Sequence, residues 1–297
     1  MDEIVTPTAS VVIPTHNAAD TVAEQLDAVA ASVAATSFEV EIIVVDNRSS
    51  DDSGAVAEAW SESTGVALRV LRADDMGSEP YARNVGWRAA RAPLVLYCDA
   101  DDMVGRGWVE GLVAALGASA YATGPIDMHT LNPAWLANVR GASVSTGMSY
   151  LVEGVPYAHG CNMGFRRDVL ESVGGFDVAY TAGCDLDIAI RLWEDGHELT
   201  FDERASVSYR LRPTLRATAA QGRFYGRYRI PIMGRLGDHV DERVERRRYR
   251  RRWLWLARKT PRAVVSRETR ARWVWVAAQL SGEAQGRRDV RRKEDGA

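Results

Sequence analysis

The run Leu94-Val95-Leu96-Tyr97-Cys98-Asp99-Ala100-Asp101-Asp102 carries an apolar segment straight into a cluster of carboxylates. A short apolar run closed by polar residues predicts a strand covered on both faces that ends where water begins. Two other runs have the same form. Ser10–Ile13 enters Pro14-Thr15-His16-Asn17, and Val40–Val45 enters Asp46-Asn47-Arg48-Ser49-Ser50-Asp51-Asp52-Ser53. A further strand is predicted at Leu68–Arg72, and helical spacing fits Ala19–Ala35, Asp52–Trp60 and Glu79–Ala90. Strands alternating with helices predict βα units around a mostly parallel sheet. Such sheets bind ligands beyond the carboxyl ends of their strands. The polar strand ends are therefore expected to converge on one crevice.

Carboxylates crowded at Asp99–Asp102 repel one another unless a cation sits between them. Hard oxygen ligands suit Mg²⁺ or Mn²⁺, which keep water and substrate phosphate oxygens in their remaining positions. A diphosphate is the natural complement. A solvated turn that caps a helix is the other reading of an isolated Asp-x-Asp. At the second strand end, Asp46 can accept a hydrogen bond from a nucleobase N–H. Ser50 or Asp51 can cap the following helix, and capping accounts for Asp51 and Asp52 better than catalysis does.

The 297 residues suggest two domains, or one sizeable α/β domain with an appendage. A hydrophobic share of 46% and a charged share of 26% exclude disordered, collagen-like and coiled-coil chains. The net charge of −3 hides an asymmetry: 19 Lys and Arg face 32 Asp and Glu up to Val240, against 18 and 8 from Asp241 onward. No segment reaches the roughly 18 apolar residues of a transmembrane helix, and the acidic start at Asp2 and Glu3 does not read as a signal peptide. A cytosolic location is expected. Cys98, Cys161 and Cys184 have no disulfide or zinc spacing and are read as reduced thiols.

From Gly160 to Leu199 the pattern reads as helices and loops that cover the crevice, with a turn at Gly174-Gly175-Phe176-Asp177 and a helix at Asp185–Glu194. Beyond Tyr209 the chain turns Arg-rich. Helices are expected at Thr214–Leu236, Glu242–Leu256 and, after a break at Pro261, Arg267–Leu280, with about the last ten residues disordered.

Taken in order, Val11-Val12-Ile13-Pro14-Thr15-His16-Asn17, Val44-Val45-Asp46-Asn47-Arg48-Ser49-Ser50-Asp51, Ala82-Arg83-Asn84-Val85-Gly86 and Asp99-Ala100-Asp101-Asp102 resemble family 2 glycosyltransferases of the GT-A fold. Gly160-Cys161-Asn162-Met163-Gly164-Phe165-Arg166-Arg167, Gly174-Gly175-Phe176-Asp177 and Cys184-Asp185-Leu186-Asp187 extend the resemblance, which covers Ser10 to Tyr209. It implies an α/β fold of the GT-A nucleotide-diphospho-sugar transferase type, a Rossmann-like mixed sheet flanked by helices. Residues 1–212 would form the catalytic domain and 213–297 a helical extension rich in Arg and Trp.

The resemblance also implies roles. Pro14 and Thr15 would lie along the nucleotide, Asp46 on its base and Asp99 on the ribose side, with Asp101 as metal ligand. Arg83 would either pair with phosphate or brace the acidic loop. Asp185 stands where the family has its catalytic base, with Asp187 the next candidate. Cys184 replaces the acid that normally precedes that base, and is read as a buried inert thiol that leaves acceptor recognition changed. Gly175 and Phe176 complete the acceptor side. Tyr209 occupies the place of a histidine ligand, so Arg210 or Arg212 is expected to supply positive charge to the leaving group, while His159 reads as structural.

The expected activity is metal-dependent, inverting transfer of a sugar from a UDP-, GDP- or dTDP-sugar to a glycan or lipid-linked acceptor in envelope glycan, polysaccharide or glycoconjugate synthesis. A sugar-nucleotide nucleotidyltransferase is the first alternative, although a Gly-rich loop followed by Arg and Lys is missing near the N-terminus. A non-catalytic nucleotide-sugar-binding or membrane scaffold protein is the second. Arg beside Trp253, Trp255, Trp273 and Trp275 suits an interfacial helix on anionic lipid at the inner face of the plasma membrane. The same tryptophans could instead be packing residues. Nucleic-acid binding is not expected, because no recognisable binding motif accompanies the charge.

Overall fold

The computed structural model describes residues 6–140 and 147–295. In chain order the strands are β1 (Ala9–Thr15), β2 (Val40–Asp46), β3 (Arg69–Arg72), β4 (Leu94–Cys98), β5 (Met103–Val104), β6 (Tyr121–Thr123), β7 (Ile126–Asp127), β8 (Ser149–Tyr150), β9 (Pro156–Tyr157), β10 (Asn162–Arg166), β11 (Leu199–Phe201) and β12 (Val207–Ser208). The helices are α1 (Val22–Ala34), α2 (Ser53–Thr64), α3 (Glu79–Ala89), α4 (Trp108–Leu116), α5 (Ala134–Ala137), α6 (Arg167–Ser172), α7 (Cys184–Glu194), α8 (Leu215–Arg235), α9 (Glu242–Val265) and α10 (Arg267–Asp295). Two compact units divide the chain. One takes the described residues between Met1 and Asp127 and between Ser145 and Tyr209, the other those between Met128 and Val144 and from Arg210 on.

The first unit is built on a seven-stranded sheet in the order β11-β6-β10-β4-β1-β2-β3. The predicted strands β1 to β4 pair in parallel, with Thr15 beside Asp46 and Val12 beside Tyr97. Side chains alternate across this sheet. Ile42 and Val44 pack with Leu26, Trp60, Trp108 and Leu112 on one face, and Ile43 and Val45 pack with Trp87, Phe165, Phe176 and Ile188 on the other. Helices therefore cover both faces, which is why β2 reads as an unbroken apolar run.

One expectation fails inside this sheet. The segment from Gly160 is not confined to helices and loops, because β10 enters the middle of the sheet antiparallel to β4, pairing Asn162 with Cys98. Asn162 and Gly164 disguise the strand. The Asn162 side chain is consumed by structure: it accepts from Trp108 Nε1 at 2.9 Å and donates to the Ala205 carbonyl at 2.7 Å. Gly164 leaves room for Leu96 and Leu116, whose methyls would lie 3.1 Å from a Cβ placed there.

In the second unit, Thr214 caps α8 through Ala217 N at 3.2 Å, and Asp241 caps α9 through Arg243 N at 2.7 Å. The expected break at Pro261 does not occur, and α9 continues to Val265. Proline removes one helical hydrogen bond, but Arg270 holds the final turn by donating to the Ala263 carbonyl at 2.9 Å and to that of Val264. Trp273 Nε1 donates to the Leu256 carbonyl at 3.2 Å on the turn before the proline. Helix α10 likewise runs past Leu280 to Asp295, through most of the segment expected to be disordered.

Glycines set the α8–α10 contact. A Cβ at Gly226 would meet the Gln279 carbonyl oxygen at 2.2 Å, and at Gly282 or Gly286 it would meet those of Arg223 at 2.1 Å or Arg227 at 2.3 Å. Contacts that ascend in step along both helices make them parallel.

In the first unit, Gly86 lets α3 lie on β1 and β2, for its Cβ would stand 2.2 Å from Val12 Cγ1 and 3.2 Å from Val45 Cγ2. Gly86→Ala is expected to lower the unfolding free energy by about 1–3 kcal/mol through overpacking. Gly234→Ala in α8, with nothing within 4 Å of the added methyl, should instead gain about 0.5–1 kcal/mol. Chemical denaturation of the two variants checks the contrast in sign.

Candidate active site

Beyond β1 to β3 the predicted loops are knitted into one wall. Asn47 N donates to the Thr15 carbonyl at 2.8 Å, and its side chain donates to those of Ala73 and Met76 at 2.5 and 2.7 Å. Asn17 holds a positive φ of 52° and accepts Ser50 N at 2.8 Å through Oδ1. Asp51 does not cap α2 as a helix N-cap. Its carboxylate takes Ala19 N at 3.1 Å together with the Ser53 amide and hydroxyl, so it ties two loops together. Hydrogen bonds from Ser53 first, and from these amides, hold its carboxyl below the usual range.

Pro14 is half-buried and Thr15 buried in this wall. Asp46 is fully buried, takes Ser49 N at 3.1 Å, and is salt-bridged to the exposed Arg72 at 2.5 Å.

The carboxylates after β4 are gathered by α3. Arg83, 1% exposed, reaches Glu79 at 2.5 Å and Asp99 at 3.3 Å. It also donates to the Gly160 carbonyl and the Cys184 sulfur, both at 3.0 Å, and lies 5.6 Å from the Phe176 ring centroid. Burial alone would lower its pKa, but the carboxylates of Glu79, Asp99 and Asp185 hold it well above the usual value. Arg83 thus pairs with the acidic loop at Asp99. From the opposite side Gln25 steadies the same turn, donating to the Asp99 carbonyl at 2.8 Å and accepting Val104 N at 3.0 Å.

Asp185 is the second residue of α7, behind Cys184 and the N-cap Gly183, whose φ of 78° turns the chain into the helix. Its carboxylate takes Gly160 N at 3.1 Å and Leu186 N at 3.0 Å. Burial raises its pKa, against the opposing pull of Arg83 and these amides. Cys184 is 2% exposed, and burial pushes its thiol up, so it stays protonated. Asp187 is fully buried and salt-bridged to Arg191 at 2.9 Å. Arg191 in turn donates to the carbonyls of Val173 and Gly175 at 2.6 and 2.7 Å, fixing the Gly174-Gly175 turn.

Asn84 anchors the same turn, clamping both the amide and the carbonyl of Phe176 at 2.9 and 2.7 Å. The Phe176 ring is buried against Tyr97 at 5.4 Å and has Arg83 over it at 5.6 Å. His159 bonds Ser149 Oγ at 3.0 Å, and the Tyr209 amide donates to the Asp127 carbonyl at 2.7 Å. Arg210 and Arg212 belong to the other unit.

For a divalent cation the donor set is suggestive. Ligand atoms of Asp99, Asp102 and Cys161 all lie within 4.8 Å of one another, and Asp101 is half-buried in the same turn. Carboxylate oxygens fit Mg²⁺ and Mn²⁺; the thiol is the softer member. Glu79, Gln25, Gly160 and Cys161 were not candidates from the sequence. The Glu79–Arg83 pair carried a signal in its i,i+4 spacing, and Gly160 and Cys161 stood in the quoted Gly160–Arg167 motif.

With this geometry in hand, the comparisons with known proteins agree. Residues 10–174 match glycosyl transferase family 2 and residues 94–290 match glycosyl transferase family group 2. The chain belongs to glycosyltransferase family 2, whose members move a sugar from a nucleotide-sugar donor. It is 26% identical over 209 residues to the glycosyltransferase AglE of Haloferax volcanii, covering 70% of this chain and 68% of that one. It is 27% identical to the pre-mycofactocin glycosyltransferase of Mycobacterium tuberculosis, covering 67% of this chain and spanning only 43% of that relative's length. In fold it is similar to the mannosyltransferase PcManGT of Pyrobaculum calidifontis, in complex with GDP-Man and Mn²⁺, with a TM-score of 0.64 at 16% identity over 96% of this chain and 88% of that one. Glucosyl-3-phosphoglycerate synthase of M. tuberculosis, solved with Mn²⁺, UDP and phosphoglyceric acid, gives 0.56 at 18% identity over 80% of each chain. These establish the GT-A fold expected above.

Burial pushes the Asp99 carboxyl up to about 7, Arg83 opposing and Glu79, Asp101 and Asp185 adding to the rise. A carboxyl whose pKa is raised on folding holds more protons than the unfolded chain between its two pKa values, so stability falls as pH rises through that window. Asp99→Asn is therefore expected to be more stable than the wild type at pH 8 by on the order of 1 kcal/mol, with the difference vanishing towards pH 4. Paired unfolding curves at the two pH values check it.

Proposed function

We propose that this glycosyltransferase is an inverting, divalent-metal-dependent enzyme that uses a UDP-, GDP- or dTDP-sugar, with residues 1–212 as its catalytic domain and 213–297 as an extension. The observation that carries the reading is the shared position of Asp99 and Asp185 around the buried Arg83, with Gly160 bonded to both Arg83 and Asp185. Pro14, Thr15 and Asp46 are assigned to the nucleotide, Asp99 to the ribose side and Asp101 to the metal. Gly175, Phe176 and Cys184 shape the acceptor side, the last two from beneath through Arg83.

In this mechanism the acceptor hydroxyl gives its proton to Asp185 as its oxygen attacks the anomeric carbon. One C–O bond forms while the bond to the diphosphate breaks. Burial that raises the base's pKa increases its proton affinity and brings it nearer the operating pH. With Asp99–Asp102 assigned to the diphosphate side, Asp185 is the single carboxylate for the acceptor. A single displacement inverts configuration, whereas retention through a covalent intermediate needs a second carboxylate close to the anomeric carbon.

Asp101, with Asp99 and Asp102 beside it, would hold Mg²⁺ or Mn²⁺. Such an ion neutralises charge on a departing diphosphate. The Mn²⁺ and nucleotides named with the two structural neighbours support this assignment. A glycan or lipid-linked acceptor in envelope or glycoconjugate synthesis is supported by relatives named for succinoglycan and O-antigen biosynthesis. No helix among the described residues is long and apolar enough to cross a membrane.

Asp185→Asn should keep donor binding and lose transfer by roughly 10²–10⁴-fold, measured by nucleotide release with acceptor present. A variant that transfers at the wild-type rate would remove Asp185 from the mechanism. Asp101→Ala should abolish the dependence of donor affinity on Mn²⁺ in calorimetric titration. Wild-type donor affinity that is indifferent to EDTA would refute the metal assignment.

A further inference from the structure

The Arg-rich extension divides its charges between two faces of α9. Facing inward, Arg229 of α8 makes a bidentate pair with Glu245 at 3.0 and 3.1 Å, and Arg252 meets Glu283 of α10 at 2.5 Å and Gln279 at 2.9 Å. The tryptophans divide in the same way. Trp275 is 6% exposed against α8, Trp255 is half-buried beside Arg272, and Trp273 bonds the Leu256 carbonyl. Trp253 alone of the four stands out, 51% exposed. Of the two readings left open for these tryptophans, packing describes Trp275, whereas Trp253 lies exposed.

The outward face is different. Arg243, Arg247, Arg250 and Arg251 recur at helical spacing, make no ion pair among the described residues, and with Arg246 line a shallow groove of about 540 Å³ closed by Leu254. Leu254 is 61% exposed, and elsewhere on α9 Val244 and Val265 are 59% and 82% exposed.

We propose that this face of α9 docks on an anionic phospholipid bilayer, with the groove seating lipid phosphates and Trp253 and Leu254 entering below the headgroups. Charge complementarity selects an anionic partner. The aliphatic side chains among the arginines select lipid over nucleic acid, because they gain burial under headgroups and find no counterpart along a phosphate backbone. Arginine suits the site through its fixed fork of donors. Docking in this orientation leaves the inward pairs of Arg229 and Arg252 intact, so binding does not require the helices to open.

The test uses the full chain and co-sedimentation with vesicles of phosphatidylcholine containing phosphatidylglycerol, or of phosphatidylcholine alone. The wild type should bind the anionic vesicles and be released as salt rises, since exposed charges are screened within about 10 Å at 0.1 M. The double variant Arg247→Gln, Arg251→Gln should bind roughly thirty-fold more weakly, at about fivefold per basic side chain near the surface. Leu254→Ala should weaken binding and leave the salt dependence in place. Far-UV circular dichroism and the thermal midpoint of each variant should match the wild type; if one unfolds, Arg250→Gln provides the same readout one turn away. Equal binding to neutral vesicles, or unchanged binding by the double variant, would overturn the proposal. So would tighter binding to single-stranded RNA or duplex DNA than to anionic vesicles together with indifference to Leu254→Ala.

Discussion

Burying the Arg83 guanidinium costs several kcal/mol of lost hydration, and only the groups gathered around it offset that cost. Glu79 arrives on the same helix one turn earlier, Asp99 at the exit of β4, the Gly160 carbonyl ahead of β10, and Cys184 at the start of α7. Four segments far apart in sequence thus share one cation. Its field explains how the half-buried Asp185 and Asp99 can lie in one site, for Asp185 raises the pKa of both Asp99 and Arg83 while Arg83 opposes the rise in both acids. A neutral residue at 83 would leave those acids facing one another across a poorly hydrated space. The cysteine at 184 fits the same arithmetic: a further carboxylate there would add to the charge, whereas a protonated thiol accepts a hydrogen bond and adds none.

Around that centre, neutral amides do the positioning. Gln25 holds the backbone of the acidic turn, Asn84 clamps the Phe176 peptide, and Asn162 joins β10 to the β12 side of the unit through Trp108 and Ala205. Each is buried, and each has backbone or indole partners, as buried amides must. Charged residues at these three places would compete with Arg83 for the same acids. The division of labour is physical: amides fix the geometry because they add no net field, which leaves the field to the residues assigned to chemistry.

The legible parts of the sequence were those whose signal is local. The apolar runs of β1 to β4 and the polar residues that end them stand side by side in the chain, and the strand ends meet where parallel topology requires. The helix at Asp185–Glu194 was visible from its own spacing. What escaped depended on distant partners. β10 looks irregular because Asn162 and Gly164 answer to Trp108, Ala205 and Leu116 rather than to each other. The helix through Pro261 persists because Arg270 and Trp273 supply donors from the next helix. Phe176 carried a motif position but spends its ring on the core, and Asp187, legible as a spare base, spends its carboxylate on Arg191.

The C-terminal helices show how one composition serves two ends. Gly226, Gly282 and Gly286 bring α8 and α10 so close that no Cβ would fit between their backbones. That approach lets Trp275 fill the seam beside Gly222, and it places Glu283 where Arg252 can reach it. The arginines of α9 that make no ion pair among the described residues line its outer groove with Leu254. A packing helix and a charged surface are then not competing descriptions of the tail. The glycines that make the first possible also leave the second exposed to solvent, and the interspersed Leu254 and Val265 decide what kind of surface it is.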